Sequence, residues 1–256
     1  MGDEIGFIKS YRQNYILFYT DNNRNNFDAV YGPTLGSQYL QNEAKYQISF
    51  QGALPSIGSF TPGFAYTQQS YWQVYNTPLS APFRENNFEP ELFVSWDGCN
   101  PLKTGDAVSS RCQVGFDHQS NGRSNPYSRS WNRIYGEVQL ENPEKELFGS
   151  LRGWFRIPEK AANDDNPDIT HYYGYWQFDG RWTPDQEKRH TFHMMLRDNL
   201  HLNHNKGAVQ LDWSWNMEWL GEFSTYVQFF HGYGENLIDY RQVNTRFGAG
   251  ILLTNW

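Results

Sequence analysis

The sequence predicts an all-β chain: one transmembrane antiparallel β-barrel of about twelve strands, an up-and-down meander with long outer loops and short periplasmic turns. Three observations carry this. Only 38 % of the 256 residues are hydrophobic, yet aromatics reach 18 %, with ten Trp, seventeen Tyr and eighteen Phe. A polar lumen combined with aromatic girdles gives that mixture. No run approaches the roughly 18 consecutive apolar residues that a membrane helix needs. Period-two alternation recurs in windows of strand length along the whole chain, the mark of strands with one apolar face.

Taken in order, the windows are 12–20, 43–53, 63–76, 87–96, 111–120, 129–140, 147–156, 169–180, 190–197, 207–217, 222–233 and 245–254. Residues 1–10 read as a flexible N-terminal segment, and Met1-Gly2-Asp3-Glu4 as the start of a mature chain without a signal sequence. Tyr46, Ile48 and Phe50 alternate with Gln47, Ser49 and Gln51. In 147–156, Leu147, Leu151 and Phe155 share a parity with Gly149 and Gly153, against Ser150, Arg152 and Arg156. Val209, Leu211, Trp213, Trp215 and Met217 alternate with Gln210, Asp212, Ser214 and Asn216. Phe247, Ala249, Ile251 and Leu253 do so near the C-terminus, with the terminal Trp256 out of register.

With both termini periplasmic, the outer loops fall at about 21–42, 77–86, 121–128, 157–168, 198–206 and 234–244. The absence of a linker, a low-complexity tract or an internal repeat makes residues 1–256 one domain. A barrel must close, because open sheet edges cannot lie in hydrocarbon. A net charge of −7 argues against nucleic acid as a partner, which calls for a basic surface. The inner connection 97–110 is longer than the pattern expects, and Cys99 and Cys112 flank it. The pair is either a single bridge, as an oxidising periplasm allows, or two unrelated buried thiols.

The chemistry concentrates in Phe116-Asp117-His118-Gln119-Ser120-Asn121-Gly122-Arg123 and Ser128-Arg129-Ser130-Trp131-Asn132-Arg133. Residues i and i+2 of a strand share a face, so His118 and Ser120 lie beside Val114 and Phe116. The turn-rich residues from Asn121-Gly122 onward reverse the chain. The next strand then carries Asn132 on the parity of Ile134, Val138 and Leu140, with Trp131, Arg133, Tyr135, Glu137 and Gln139 opposite. If the two strands pair, a base, a nucleophile and an orienting amide meet on the apolar face. Serine needs a neighbouring base to become a nucleophile. The base needs a group that fixes its tautomer, a role that asparagine fills in some triads. Taken singly, each residue also has a structural reading, as a turn, cap or girdle residue.

These two stretches closely resemble the active-site motif of the outer-membrane phospholipase A family, and the resemblance extends over nearly the whole chain from about residue 10. It is also carried by Tyr66-Thr67-Gln68-Gln69-Ser70, Trp72-Gln73, Pro82-Phe83-Arg84-Glu85 with Glu89-Pro90, Asp164-Asp165-Asn166-Pro167-Asp168-Ile169-Thr170, and Gly232-Tyr233-Gly234-Glu235-Asn236-Leu237-Ile238-Asp239-Tyr240. The resemblance implies a twelve-stranded barrel in the bacterial outer membrane. It implies a calcium-dependent homodimer that hydrolyses acyl esters of phospholipids and lysophospholipids near the outer leaflet. Ser120 would be the nucleophile, His118 the base, Asn132 the orienting residue and the Gly122 N–H an oxyanion donor.

Calcium would be held by the Arg123 carbonyl, the Ser128 hydroxyl and Ser80 of the partner subunit, and Gln68 would lie on the dimer face. That ligand set has no carboxylate, and Asn125 stands where relatives can carry an aspartate. Calcium is therefore expected to depend closely on dimerisation, with Asp165 as the carboxylate that would alter this. The alternative is a passive barrel, a porin or adhesion protein, which would conduct ions without consuming lipid.

Overall fold

The computed structural model describes residues 8–22, 26–99, 108–184, 187, 189–201 and 203–254. The expectations for residues 1–7, for most of the 97–110 connection and for Trp256 fall outside them. The strands are β1 (Ile8–Ser10), β2 (Asn14–Asn22), β3 (Asn42–Ala53), β4 (Thr61–Trp72), β5 (Phe83–Asp97), β6 (Ser109–Ser120) and β7 (Ser130–Asn142). They continue as β8 (Leu147–Arg156), β9 (Trp176–Trp182), β10 (His190–Asp198), β11 (Gly207–Asn216), β12 (Ser224–Gly232) and β13 (Asn244–Thr254). Three short helices, α1 (Phe27–Tyr31), α2 (Pro33–Gly36) and α3 (Ile169–Tyr173), lie in the outer loops.

From β2 onward each strand pairs antiparallel with its sequence neighbour, and β13 pairs with β2, so the sheet closes on itself. β1 and β2 lie end to end along the same edge of β3, β1 against Phe50–Gly52 and β2 against Asn42–Gln47. They form one interrupted stave, which leaves the barrel with the twelve staves the alternation predicts. Ile8–Ser10, expected to be flexible, is thus part of the wall.

The two faces separate as the period-two pattern requires. Leu92, Val94, Val114, Phe116, Ile134, Leu151, Phe155, Leu211 and Phe247 point outward and are exposed. Trp182, Trp213, Trp215, Trp219 and Phe223 gather toward the inner end, and Tyr19, Tyr75 and Phe83 toward the outer end, as girdles do at membrane interfaces. Among the described residues no helix is long and apolar enough to cross a membrane, so any crossing is made by the strands.

Inside, buried charges pair in two networks. Arg84 meets Glu43 at 2.7 Å and Asp239 at 3.3 Å, and Arg246 meets Glu43 at 3.0 Å and Glu235 at 2.8 Å. Nearer the middle, Arg152 binds Glu91 and Glu137, while Arg12 and Arg133 converge on Glu89. A buried charge persists only when paired and hydrogen-bonded, which is the case for these. A polar cavity of about 500 Å³ runs between the networks, lined by residues including Arg12, Glu89, Arg133 and His193. Above it the 235–240 segment folds down into the barrel mouth. Its Leu237 and Ile238 N–H groups donate to Asn87 and Glu85 of β5.

Three boundaries differ from expectation. The window 169–180 is not one strand: Ile169 and Tyr173, four apart and both buried, make the helical turn α3, and β9 starts at Trp176. Window 63–76 stops as strand at Trp72, where Gln73 turns the chain and bonds to Leu40. The loop expected at 77–86 lies four residues earlier, at 73–82, because β4 ends at Trp72 and β5 begins at Phe83. The cysteines form a disulfide, Cys99–Cys112, with Cα atoms 5.9 Å apart, which decides between the two readings of that pair.

Candidate active site

The site is made by the pairing of β6 with β7. In register, Asp117 faces Arg133, His118 faces Asn132, Gln119 faces Trp131 and Ser120 faces Ser130. Directly opposed residues on one face bring their Cβ atoms to about 5 Å, close enough for short polar side chains to bond. His118 Nδ1 lies 2.9 Å from Asn132 Oδ1. That contact occupies one ring nitrogen, and Ser120 lies two residues along on the same outward face. The neighbours on that face, Phe116 and Ile134, are exposed apolar side chains, so the three polar groups sit at the outer rim of the apolar surface.

The opposite face of the same strands is locked. Arg133 Nε donates to Asp117 at 2.7 Å, and Trp131 Nε1 donates to Gln119 at 2.8 Å. The Arg133 guanidinium stacks over the Trp131 ring at 4.1 Å. Pairing register is therefore fixed from within, and the outward pairs inherit it.

Beyond Ser120 the chain turns at residues 121–129, organised by the buried Asn121. Its Oδ1 accepts from the N–H groups of Arg123 and Arg129, and its Nδ2 donates to Tyr127 O at 2.9 Å. Gly122 has φ +64, in the left-handed region, and a Cβ there would also lie 3.2 Å from the Phe88 ring. The amides on either side are engaged, Asn121 N with Arg129 O and Arg123 N with Asn121 Oδ1. Among the described residues nothing accepts from the Gly122 N–H, which leaves a backbone donor two residues past the serine. Asn121 and its stapling of this turn were not singled out by the sequence. An Asn before Gly reads there as an ordinary turn signal.

The outer loop 157–168 packs against this strand pair. Ile157 N donates to Asn132 O at 2.8 Å, and Ser130 N donates to Asn166 Oδ1 at 3.0 Å. Arg156 pairs with Asp164 at 2.6 Å. Asn132 Nδ2 donates to Glu159 Oε1 at 3.2 Å, a contact the sequence alone did not point to. At the far end of the loop Asp168 accepts from Tyr240 and Arg241. Burial pushes the Asp168 carboxyl up, but these hydrogen bonds outweigh it and hold the group below its ordinary value.

Ser128 Oγ donates to Asp165 Oδ2 at 2.5 Å. The Arg123 side chain is tied to β5 through Glu85 and the Arg84 carbonyl. Ser80 stands apart in an exposed turn, at φ 58, and bonds to neither Arg123 nor Ser128 within one chain. The described residues hold no cluster of three or more His, Cys, Asp or Glu suited to a metal. A cation here would meet mixed carbonyl, hydroxyl and carboxylate oxygens, which are hard donors suited to calcium. Asp165, named beside the uncharged donor set as the carboxylate that would alter it, lies against Ser128 within one chain. Gln68 faces outward on β4, bonded to Tyr66, Ser70 and Tyr46.

A family model described as phospholipase A1 matches residues 3–253. Phospholipase A1 of Escherichia coli (strain K12) is 32 % identical over 260 residues, covering 96 % of this chain and 81 % of that protein. The solved outer membrane phospholipase A from Escherichia coli superposes with a TM-score of 0.84 at 31 % identity, covering 97 % of this chain and 98 % of that one. The Salmonella typhi outer membrane phospholipase, solved as a dimer with bound calcium, gives a TM-score of 0.85 at 30 % identity, covering 100 % of this chain and 95 % of that one.

Proposed function

The chain belongs to the phospholipase A1 family, and we propose that it is a calcium-dependent phospholipase of the outer membrane, acting from the lipid-facing surface of its own barrel as a homodimer. Its substrates are the acyl esters of phospholipids and lysophospholipids. The observation that carries this is the 2.9 Å contact of His118 with Asn132 beside Ser120, on the outward face of β6 and β7.

Asn132 Oδ1 accepts from His118 Nδ1–H, so the ring presents its unprotonated Nε2 to Ser120. As the Ser120 oxygen attacks the acyl carbonyl, His118 takes its proton and later passes it to the departing lysolipid oxygen. Acid–base assistance of this kind typically contributes about 10²–10⁴-fold. The Gly122 N–H faces the developing oxyanion, where one such donor is worth about 3–4 kcal/mol. Water then cleaves the acyl-serine with His118 acting again as base. A neutral third member suits this position, because an unpaired carboxylate next to lipid would be costly to desolvate.

Arg123 O, Ser128 Oγ and the adjacent Asp165 carboxylate of one chain, with Ser80 of the partner subunit, would hold calcium. When bound, calcium supplies positive charge beside the oxyanion. The outward Gln68 gives the dimer a polar contact within lipid, where side-chain hydrogen bonds between chains aid association. The test is fatty-acid release from micellar phospholipid by the detergent-solubilised protein, first with calcium and then with chelator. Release that stops on chelation is expected. Ion conductance through the barrel with no release at any calcium concentration would overturn the reading in favour of a pore.

A further inference from the structure

We propose that Glu159 is a positioning residue for the reaction, the outermost member of a four-residue line Glu159–Asn132–His118–Ser120, which fixes the orientation of the Asn132 amide. The inference rests on the assignment of Asn132 as the group that orients His118.

An asparagine side chain has two ends of nearly equal shape, an acceptor oxygen and a donor NH2, and can present either to a neighbour. With Oδ1 toward the ring, Asn132 accepts from Nδ1–H and Nε2 is left as the base. With the amide reversed, Nδ2 would donate to Nδ1, the ring proton would move to Nε2, and Ser120 would face a nitrogen that cannot accept its proton. His118 itself does not decide between these, since each tautomer satisfies one of them. An ionised carboxylate does decide, because it accepts and never donates. Glu159 Oε1 takes the Asn132 Nδ2–H at 3.2 Å, while Oδ1 meets His118 at 2.9 Å.

The loop that carries Glu159 is held to the same strand pair. Ile157 N donates to Asn132 O, two residues before Glu159, and Ser130 N donates to Asn166 beyond it. The Arg156–Asp164 ion pair closes the base of the loop. The carboxylate is thus delivered beside Asn132 by backbone contacts with the residue it orients. Glu159 is half-buried, and the Asn132 contact is its hydrogen bond among the described residues.

The substitution that separates orientation from loop packing is Glu159→Gln. It keeps size and keeps a hydrogen-bonding oxygen, but its amide can also donate, so either orientation of Asn132 is satisfied. Steady-state hydrolysis of a micellar phosphatidylcholine by the calcium-loaded, full-length barrel gives kcat and KM separately, and the heat-modified gel shift confirms folding. Glu159→Gln should lower kcat about tenfold at unchanged KM, the size of one lost charge-assisted hydrogen bond. Glu159→Ala should do the same, and adding either change to Asn132→Ala should lower kcat no further. A Glu159→Gln enzyme with the parent's kcat, or losses that multiply with those of Asn132→Ala, would overturn the proposal. If Asn132→Ala itself retained full kcat, the assignment of Asn132 would fall and the Glu159 proposal with it; a defective Asn132→Ala beside a fully active Glu159→Gln overturns the Glu159 proposal alone.

Discussion

Asp117 and Arg133 form an ion pair of 2.7 Å on the inner face of the strand pair whose outer face carries His118 and Asn132. The two contacts are consecutive register pairs of one antiparallel ladder, so each constrains the other through the backbone. A slip of one residue in either strand would turn that strand's member of each pair to the opposite face and part His118 from Asn132. The register of the site is set by charges that never meet substrate.

Arg133→Met tests that coupling. It leaves Asp117 buried without its partner and removes one of the two arginines on Glu89. Breaking a buried pair from one side costs about 3–5 kcal/mol. The expected outcome is a lower urea midpoint for the barrel and reduced hydrolysis in the fraction that remains folded. An unchanged midpoint would show that register is held elsewhere.

Gly122→Ala places a Cβ at φ +64 and 3.2 Å from the Phe88 ring. An alanine in the left-handed region costs about 1–2 kcal/mol and pulls the N–H off its direction. A loss of kcat with little change in KM is expected, since the donor acts on charge that develops only in the transition state. Phe88→Leu should not rescue it, because the backbone strain remains. Full rescue by Phe88→Leu would assign the defect to crowding alone.

Asp165→Asn removes the carboxylate that touches Ser128 at 2.5 Å. Because calcium affinity follows ligand charge, the calcium concentration for half-maximal activity should rise by about tenfold or more. Activity at saturating calcium should largely return. Titrating the variant beside the parent checks this, and superimposable curves would remove Asp165 from the site.

The Cys99–Cys112 bridge sits at the inner end of β5 and β6, away from Ser120 at the outer end of β6. Paired Cys99→Ser and Cys112→Ser changes should lower stability by up to about 3 kcal/mol, the entropy of a loop this short. Hydrolysis by the folded variant should match the parent, and mass spectrometry of the unreduced parent should find the linked peptide. A variant that folds equally stably but hydrolyses poorly would contradict both expectations.

The barrel was legible in the sequence because alternation is a property of each strand by itself. Val209 to Met217 reads as a half-buried strand with no knowledge of its neighbours. The face shared by His118, Ser120 and Asn132 followed from the same parity. Where the reading failed, the deciding partner was remote in sequence. Ile169-Thr170-His171-Tyr172-Tyr173 is rich in β-formers, yet burial of Ile169 and Tyr173 against Leu237 and Tyr240 favours a helical turn. Glu159 acquires meaning only when its loop folds back onto β7, a contact no local pattern announces. β1 was missed because Tyr11–Gln13 interrupts its stave. The disulfide stayed open because two cysteines flanking a loop do not show whether they meet.

The central claim is that Ser120, on the outside of the barrel, is the nucleophile. Fatty-acid release by Ser120→Ala, measured in detergent with saturating calcium on protein whose heat-modified gel shift matches the parent, tests it most directly. Loss of hydrolysis to the chelated background is the predicted result. Substantial calcium-dependent release from the folded variant would contradict it.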